Sequence, residues 1–421
     1  MSKKIIDNKT IWLLFGLCWF VYFISYVGRM NYSAAMPEMI EFSRLTMQQA
    51  GSLSTAFFVC YALGQFINGM LADKNKPENM IFTGLGLSAI VNLCLPIAHN
   101  YILTLILWAI NGYALSMLWP SIIRIIADMF EARTMIKCGV HIASSIAAGS
   151  LAAYLLASLL IRFFGWQSVF FMAFGLLLIT SGLWKILFSY VKKRRSKYGV
   201  RQLVEESDPS PSSEIKSGQK GKFAWYLFFI LLIPIAVQGA IKDGVTAWIP
   251  TMLTQTFAAP AYTAVLTTSM LPIINLSGAY MANSLFKRCI KNEILCSAVF
   301  FSMALAGIVG IIFIGSVNIL LTTLLFSVVT SSVLAINVLL INLLPLRFHQ
   351  VGRTATLSGL FNAAAYVGSS ATAVSIGWLA GGFGWSVVML CFAVLVIGAG
   401  GVCLFGGRIR LPEWSLTYNK L

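Results

Sequence analysis

The chain has 421 residues, of which 58% are hydrophobic and 10% charged, with 30 Lys and Arg against 14 Asp and Glu. A soluble domain is about a quarter charged. A mean hydropathy of +0.82 therefore excludes a soluble core, and the same composition excludes disorder, coiled coil and a disulfide scaffold. The formal charge of +16 would suggest nucleic acid on a soluble protein, but the placement of the cations gives it another meaning.

A helix needs about 20 mostly apolar residues to cross a bilayer. Twelve stretches qualify. The first six are 11–36, 50–72, 79–98, 101–127, 134–162 and 166–190. The first, from Ile11 to Met36, is too long for a signal-peptide core and has no small-residue cleavage site, so it is expected to remain as a span. A polar stretch, 191–221, carries KKRRSK and DPSPSS and reads as a cytoplasmic linker. The second six are 222–251, 259–285, 293–314, 317–346, 354–379 and 384–406. Only helices and closed barrels satisfy their backbone in lipid, and no barrel-like alternation is present. The expected class is an all-α membrane protein of two six-helix bundles, 1–190 and 222–421, joined by the linker.

Most of the Lys and Arg fall in alternate loops, among them Lys74, Lys76, Arg133, Lys192, Lys193, Arg194, Arg195, Lys287, Arg288, Arg353 and Arg408. The other loops keep Arg44 and Arg162. The positive-inside rule then puts both termini in the cytoplasm and accounts for the net charge without nucleic acid. The eight cysteines are scattered and form no C-x-x-C pair, and there are three His. No disulfide, metal site or cofactor is expected.

The two halves repeat. Arg29 precedes Pro37 by eight residues, as Lys242 precedes Pro250. RFFGWQSVFF (162–171) matches GGFGWSVVML (381–390), with Trp166 and Trp385 separated by 219 residues, and Arg133 lies 220 before Arg353. Paired repeats mark secondary transporters, whose substrate site lies between the repeats near the midplane.

Arg29 lies about two-thirds of the way along the first span, and Lys242 holds the corresponding place in the seventh. Burying either in lipid costs about 2.5–3.5 kcal/mol on insertion scales, so each is expected to face water, a partner or a ligand. No acid in either span is spaced to pair with Arg29. Asp243 adjoins Lys242, but successive helical residues do not face each other, so the two need not pair. Two unmatched cations at equivalent positions point to an anionic substrate, held bidentately by Arg and as a point charge by Lys. Without the anion, like charges at roughly 6 Å repel by about 3 kcal/mol at an effective dielectric of 20, which favours exchange over empty return. Tyr26, three residues before Arg29, and Tyr61 with Gln65 extend a polar lining. So do Asn111, His141, Ser144, Ser145, Asn275, Asn337, and Asn362 with Tyr366. Each of these also suits a helix-packing hydrogen bond. No P-loop, G-x-S-x-G or H-E-x-x-H is present, so no enzyme is expected.

These features resemble the major facilitator superfamily across almost the whole chain. GMLADK (69–74) looks like its G-x-x-x-D-[RK] loop, whose second-half counterpart GAYMANSLFKR (278–288) lacks the Asp. YVGRMN (26–31), WPSIIR (119–124), Lys242 before DGVTAWIP, and SGLFNAAAYVG (358–368) are most similar to the organophosphate:phosphate antiporters. The resemblance implies that Arg29 and Lys242 bind phosphate and that Tyr26 and Tyr61 line the pocket. Gln65 stands where glycerol-phosphate carriers have a lysine, Ser144 where they have a histidine, and Lys242 where they have arginine. Removing positive charge argues against glycerol 3-phosphate itself. CYALGQ (60–65) also resembles the anion:cation symporters, although Gly28 replaces their usual Asp.

The leading expectation is a monomeric antiporter exchanging a phosphorylated solute for inorganic phosphate across a bacterial inner membrane. The alternatives are a proton-coupled symporter of organic acids, using Asp243 or His141, and a non-transporting membrane sensor of a sugar phosphate.

Overall fold

The computed structural model describes residues 8–42, 45–129, 132–202, 225–345 and 354–408. Arg44, Arg353, His349 and most of the polar linker lie outside them, as do the side chains of Asp73, Lys74, Arg133, Cys138 and Arg195. Every element assigned among the described residues is helical. Eleven helices there are long and apolar enough to cross a membrane, and the expected eleventh span is also helical, over Thr354–Phe383.

In chain order, the first six are α1 (Asn8–Glu41), α2 (Met47–Lys74), α3 (Pro77–Cys94), α4 (Tyr101–Ile126), α5 (Ala132–Phe164) and α6 (Trp166–Gln202). The second six are α7 (Phe229–Phe257), α8 (Ala261–Arg288), α9 (Glu293–Ile314), α10 (Ile319–Leu343), α11 (Thr354–Phe383) and α12 (Trp385–Gly406). The helix ends follow local chemistry. Pro77 sits in the first turn of α3, where its missing N–H costs nothing. Asn100, Asn292 and Asn318 each accept from backbone N–H groups at the starts of α4, α9 and α10. Gly165 (φ 76°) joins α5 to α6, and Gly384 (φ 82°) joins α11 to α12. The repeated F-G-W is thus a helix joint whose central residue needs a backbone conformation open to glycine.

The described residues of Met1–Ala35 with Val59–Lys216 form one compact unit, and those of Met36–Phe58 with Ser217–Leu421 a second. In the first, a buried polar chain holds α1. Asn31 Nδ2 donates to Asn92 Oδ1 at 2.6 Å, Ser88 Oγ to Asn111 Oδ1 at 2.6 Å, and Asn111 Nδ2 to the Gly28 carbonyl at 3.0 Å. A Cβ at Gly149 of α5 would strike the Phe23 carbonyl of α1. Both features fix the stretch of α1 that carries Arg29.

In the second unit, α7 and α11 meet through small residues. A Cβ at Gly239 would strike the Ala365 carbonyl, and one at Gly368 the Ala236 carbonyl. Ser369 Oγ donates to the Gly239 carbonyl at 2.9 Å, and Trp248 Nε1 to the Ala373 carbonyl at 3.1 Å. The first half of α2 also packs on α11, with Thr55 Oγ1 donating to the Ser370 carbonyl at 2.8 Å.

Candidate functional site

Arg29 lies in α1 and is 8% exposed. Its guanidinium carbon is 4.8 Å from the Tyr61 ring centroid and 5.5 Å from that of Tyr26. Tyr26 comes from the preceding turn of α1, and buried Tyr61 from α2. Two electron-rich faces around one guanidinium stabilise its charge. The Asn111–Gly28 bond, one residue before Arg29, sets the rotation of α1.

Lys242 sits in a π-helical segment, Ala240–Val245, within α7. Such bulges occur often at functional sites because they break the regular ladder. Here one expectation is corrected. Lys242 Nζ lies 3.1 Å from Asp243 Oδ2, with side chains 31% and 10% exposed, so Lys242 is not an unmatched cation. The bulge departs from regular α-helical geometry, and the long lysine stem curls to its neighbour, a freedom that a rule for straight α-helices does not contain. Lys242 Nζ also lies 5.9 Å from the centroid of Tyr366, on α11.

The other expected residues fall into separate places. Gln65 is one turn beyond Tyr61 on α2, and its Nε2 lies 3.5 Å from the Ser116 carbonyl. Ser144 accepts from Trp19 Nε1 at 2.9 Å and donates to the His141 carbonyl at 2.7 Å. His141 and Ser144 are both exposed. Asn362 is exposed on α11, one turn before Tyr366. Asn111 is fully buried in the packing chain described above, and Asn275 accepts from Thr330 Oγ1 at 2.7 Å, so both serve helix packing.

The first unit therefore brings together Arg29, Tyr26 and Tyr61, and the second Lys242, Asp243 and Tyr366. Two residues escaped the reading of the sequence. Trp19 holds Ser144, and its apolar body hides it among lipid-facing aromatics. Gln238, one turn before Lys242, is 1% exposed, and neither amide atom has a hydrogen-bond partner among the described residues. A glutamine in the apolar run ILLIPIAVQGAI was the available signal.

A family model, the Major Facilitator Superfamily, matches residues 18–373. The chain belongs to the major facilitator superfamily. It is a multi-pass integral membrane protein. It is 28% identical over 258 residues to the glycerol-3-phosphate transporter of Bacillus subtilis, covering 55% of this chain and 56% of that one. It is 22% identical over 307 residues to a probable hexose phosphate transport protein of Chlamydia trachomatis, covering 68% and 66%. The matches thus span about half to two thirds of these relatives. Among solved structures, a bacterial homolog to the human lysosomal transporter Spinster, in an inward-facing and occupied conformation, superposes with a TM-score of 0.76. That match is 14% identical and covers 97% of this chain and 98% of the other, so it speaks for the fold.

Proposed function

We propose that this transporter carries a small phosphorylated solute in exchange for inorganic phosphate, by alternating access, with Arg29 and Lys242 both binding the transported anion. The observation that carries the reading is Arg29 itself, a guanidinium buried in an apolar helix between two tyrosine rings. Such a cation is retained against its insertion cost when it serves a substrate path. Relatives named for glycerol 3-phosphate and hexose phosphate support the chemical class. Gln65 at the position of a carrier lysine favours a solute other than glycerol 3-phosphate. Tyr26, Tyr61, Gln65, His141, Ser144 and Asn362 are proposed as further substrate contacts. Both termini are assigned to the cytoplasm of a bacterial inner membrane.

The test is uptake of labelled phosphate into proteoliposomes. Exchange predicts uptake into phosphate-loaded vesicles and none into phosphate-free vesicles, with or without a pH gradient. Uptake into empty vesicles driven by the gradient overturns it.

The Lys242–Asp243 pair favours one second reading, proton-coupled symport of an organic acid. Protonating Asp243 would release Lys242 for the anion and couple the two. That reading predicts substrate-dependent alkalinisation outside the vesicles, abolished by Asp243→Asn.

A further inference from the structure

At one end of the first unit, the first turn of α3 and the last third of α6 enclose a recess of about 240 Å³. Three lysines line it: Lys76 before α3, and Lys185 and Lys192 on α6. The recess contains one acid, Glu78, which pairs with Lys192 at 3.0 Å. Lys76 and Lys185 have no acidic partner among the described residues. The lining carries three positive charges against one negative.

We propose that this recess binds the phosphate of an anionic phospholipid headgroup. The back wall is aromatic: Trp184 stacks on Phe188 with centroids 5.0 Å apart and donates from Nε1 to the Glu78 carbonyl at 2.9 Å. A tryptophan with an apolar body and an anchored N–H suits the level of the headgroups. Lys185 Nζ lies 4.8 Å from the Phe82 centroid. Lys185 is two helical turns inside Lys192, exposed, and flanked by Leu183 (41% exposed) and Ile186 (68% exposed). Exposed aliphatic side chains on a membrane helix face acyl chains, so the anion available to the Lys185 ammonium is a lipid phosphate. Lys76 sits where no side chain caps the first turn of α3, an end that attracts negative charge. Asn79 and Ser189 add hydrogen-bonding groups to the lining. The lipid-facing aliphatic side chains beside Lys185 favour a lipid phosphate over a soluble one. The site is separate from Arg29 and Lys242 and needs no particular transported solute.

The experiment is native mass spectrometry of delipidated protein in detergent, titrated with dioleoylphosphatidylglycerol and, separately, with phosphatidylcholine. Wild type binds the anionic lipid more tightly than the neutral one. A surface lysine contributes about fivefold to anionic-lipid binding, so Lys76→Gln with Lys185→Gln weakens it by roughly 25-fold. Glu78→Gln binds at least as tightly as wild type, and Arg29→Ala binds equally. Millimolar inorganic phosphate leaves the lipid in place. Equal binding of both lipids, or an unchanged affinity in the double lysine variant with its Tm retained, overturns the proposal. Displacement by inorganic phosphate overturns the lipid assignment and makes the recess a soluble-phosphate site.

Discussion

Lys242 Nζ and Asp243 Oδ2, on consecutive residues of a π-helical segment, stand 3.1 Å apart. On the proposed role of Lys242, an incoming anion competes with a carboxylate already in place. Removing that carboxylate frees the lysine. Asp243→Asn is expected to lower the Kd for inorganic phosphate and to keep phosphate exchange in proteoliposomes. An abolished exchange in a folded variant would transfer the role of Asp243 to proton coupling.

The Tyr61 ring lies closer to Arg29 than that of Tyr26. A desolvated cation–π contact is worth about 2 kcal/mol. Tyr61→Leu is expected to raise the KM for exchange by roughly tenfold or more, while Tyr61→Phe keeps the ring face and stays near wild type. Equal losses in the two variants would assign the effect to the hydroxyl.

Asn111 links Ser88 to the Gly28 carbonyl, next to Arg29. Asn111→Ala leaves buried polar groups unsatisfied, at a cost of about 1–3 kcal/mol. It is expected to lower Tm and, because α1 loses its rotational tie, to raise KM. Asn275→Ala, which removes the acceptor of Thr330, is expected to lower Tm with little change in KM.

Gly384 has φ 82° and ψ 170°, a region that costs other residues roughly 1–3 kcal/mol. Gly384→Ala is expected to lower Tm in a thermal melt although no atom lies near its new Cβ. Gly239→Ala fails for a different reason, the Ala365 carbonyl in its way, and is expected to be the more damaging of the two.

Much of the architecture was legible in the chain. Span positions follow from runs of apolar residues, because lipid imposes one length on every helix. Arg29 and Lys242 stood out because charge in such runs is costly. The Lys242–Asp243 pair was not legible, since an apolar pattern does not reveal where a helix loosens from its i→i+4 ladder. Asn111 was grouped with candidate lining residues, because a sequence names polar residues without saying which face meets a neighbour. The Trp19–Ser144 bond spans 125 residues, a separation over which local spacing carries no information.

Calorimetric binding of inorganic phosphate to purified wild type, Arg29→Ala and Lys242→Ala tests the central claim most directly. The account predicts saturable binding in wild type and a loss of roughly thirtyfold or more in each variant, the scale for truncating one partner of a hydrogen-bonded charge pair. Wild-type affinity in both folded variants would contradict it.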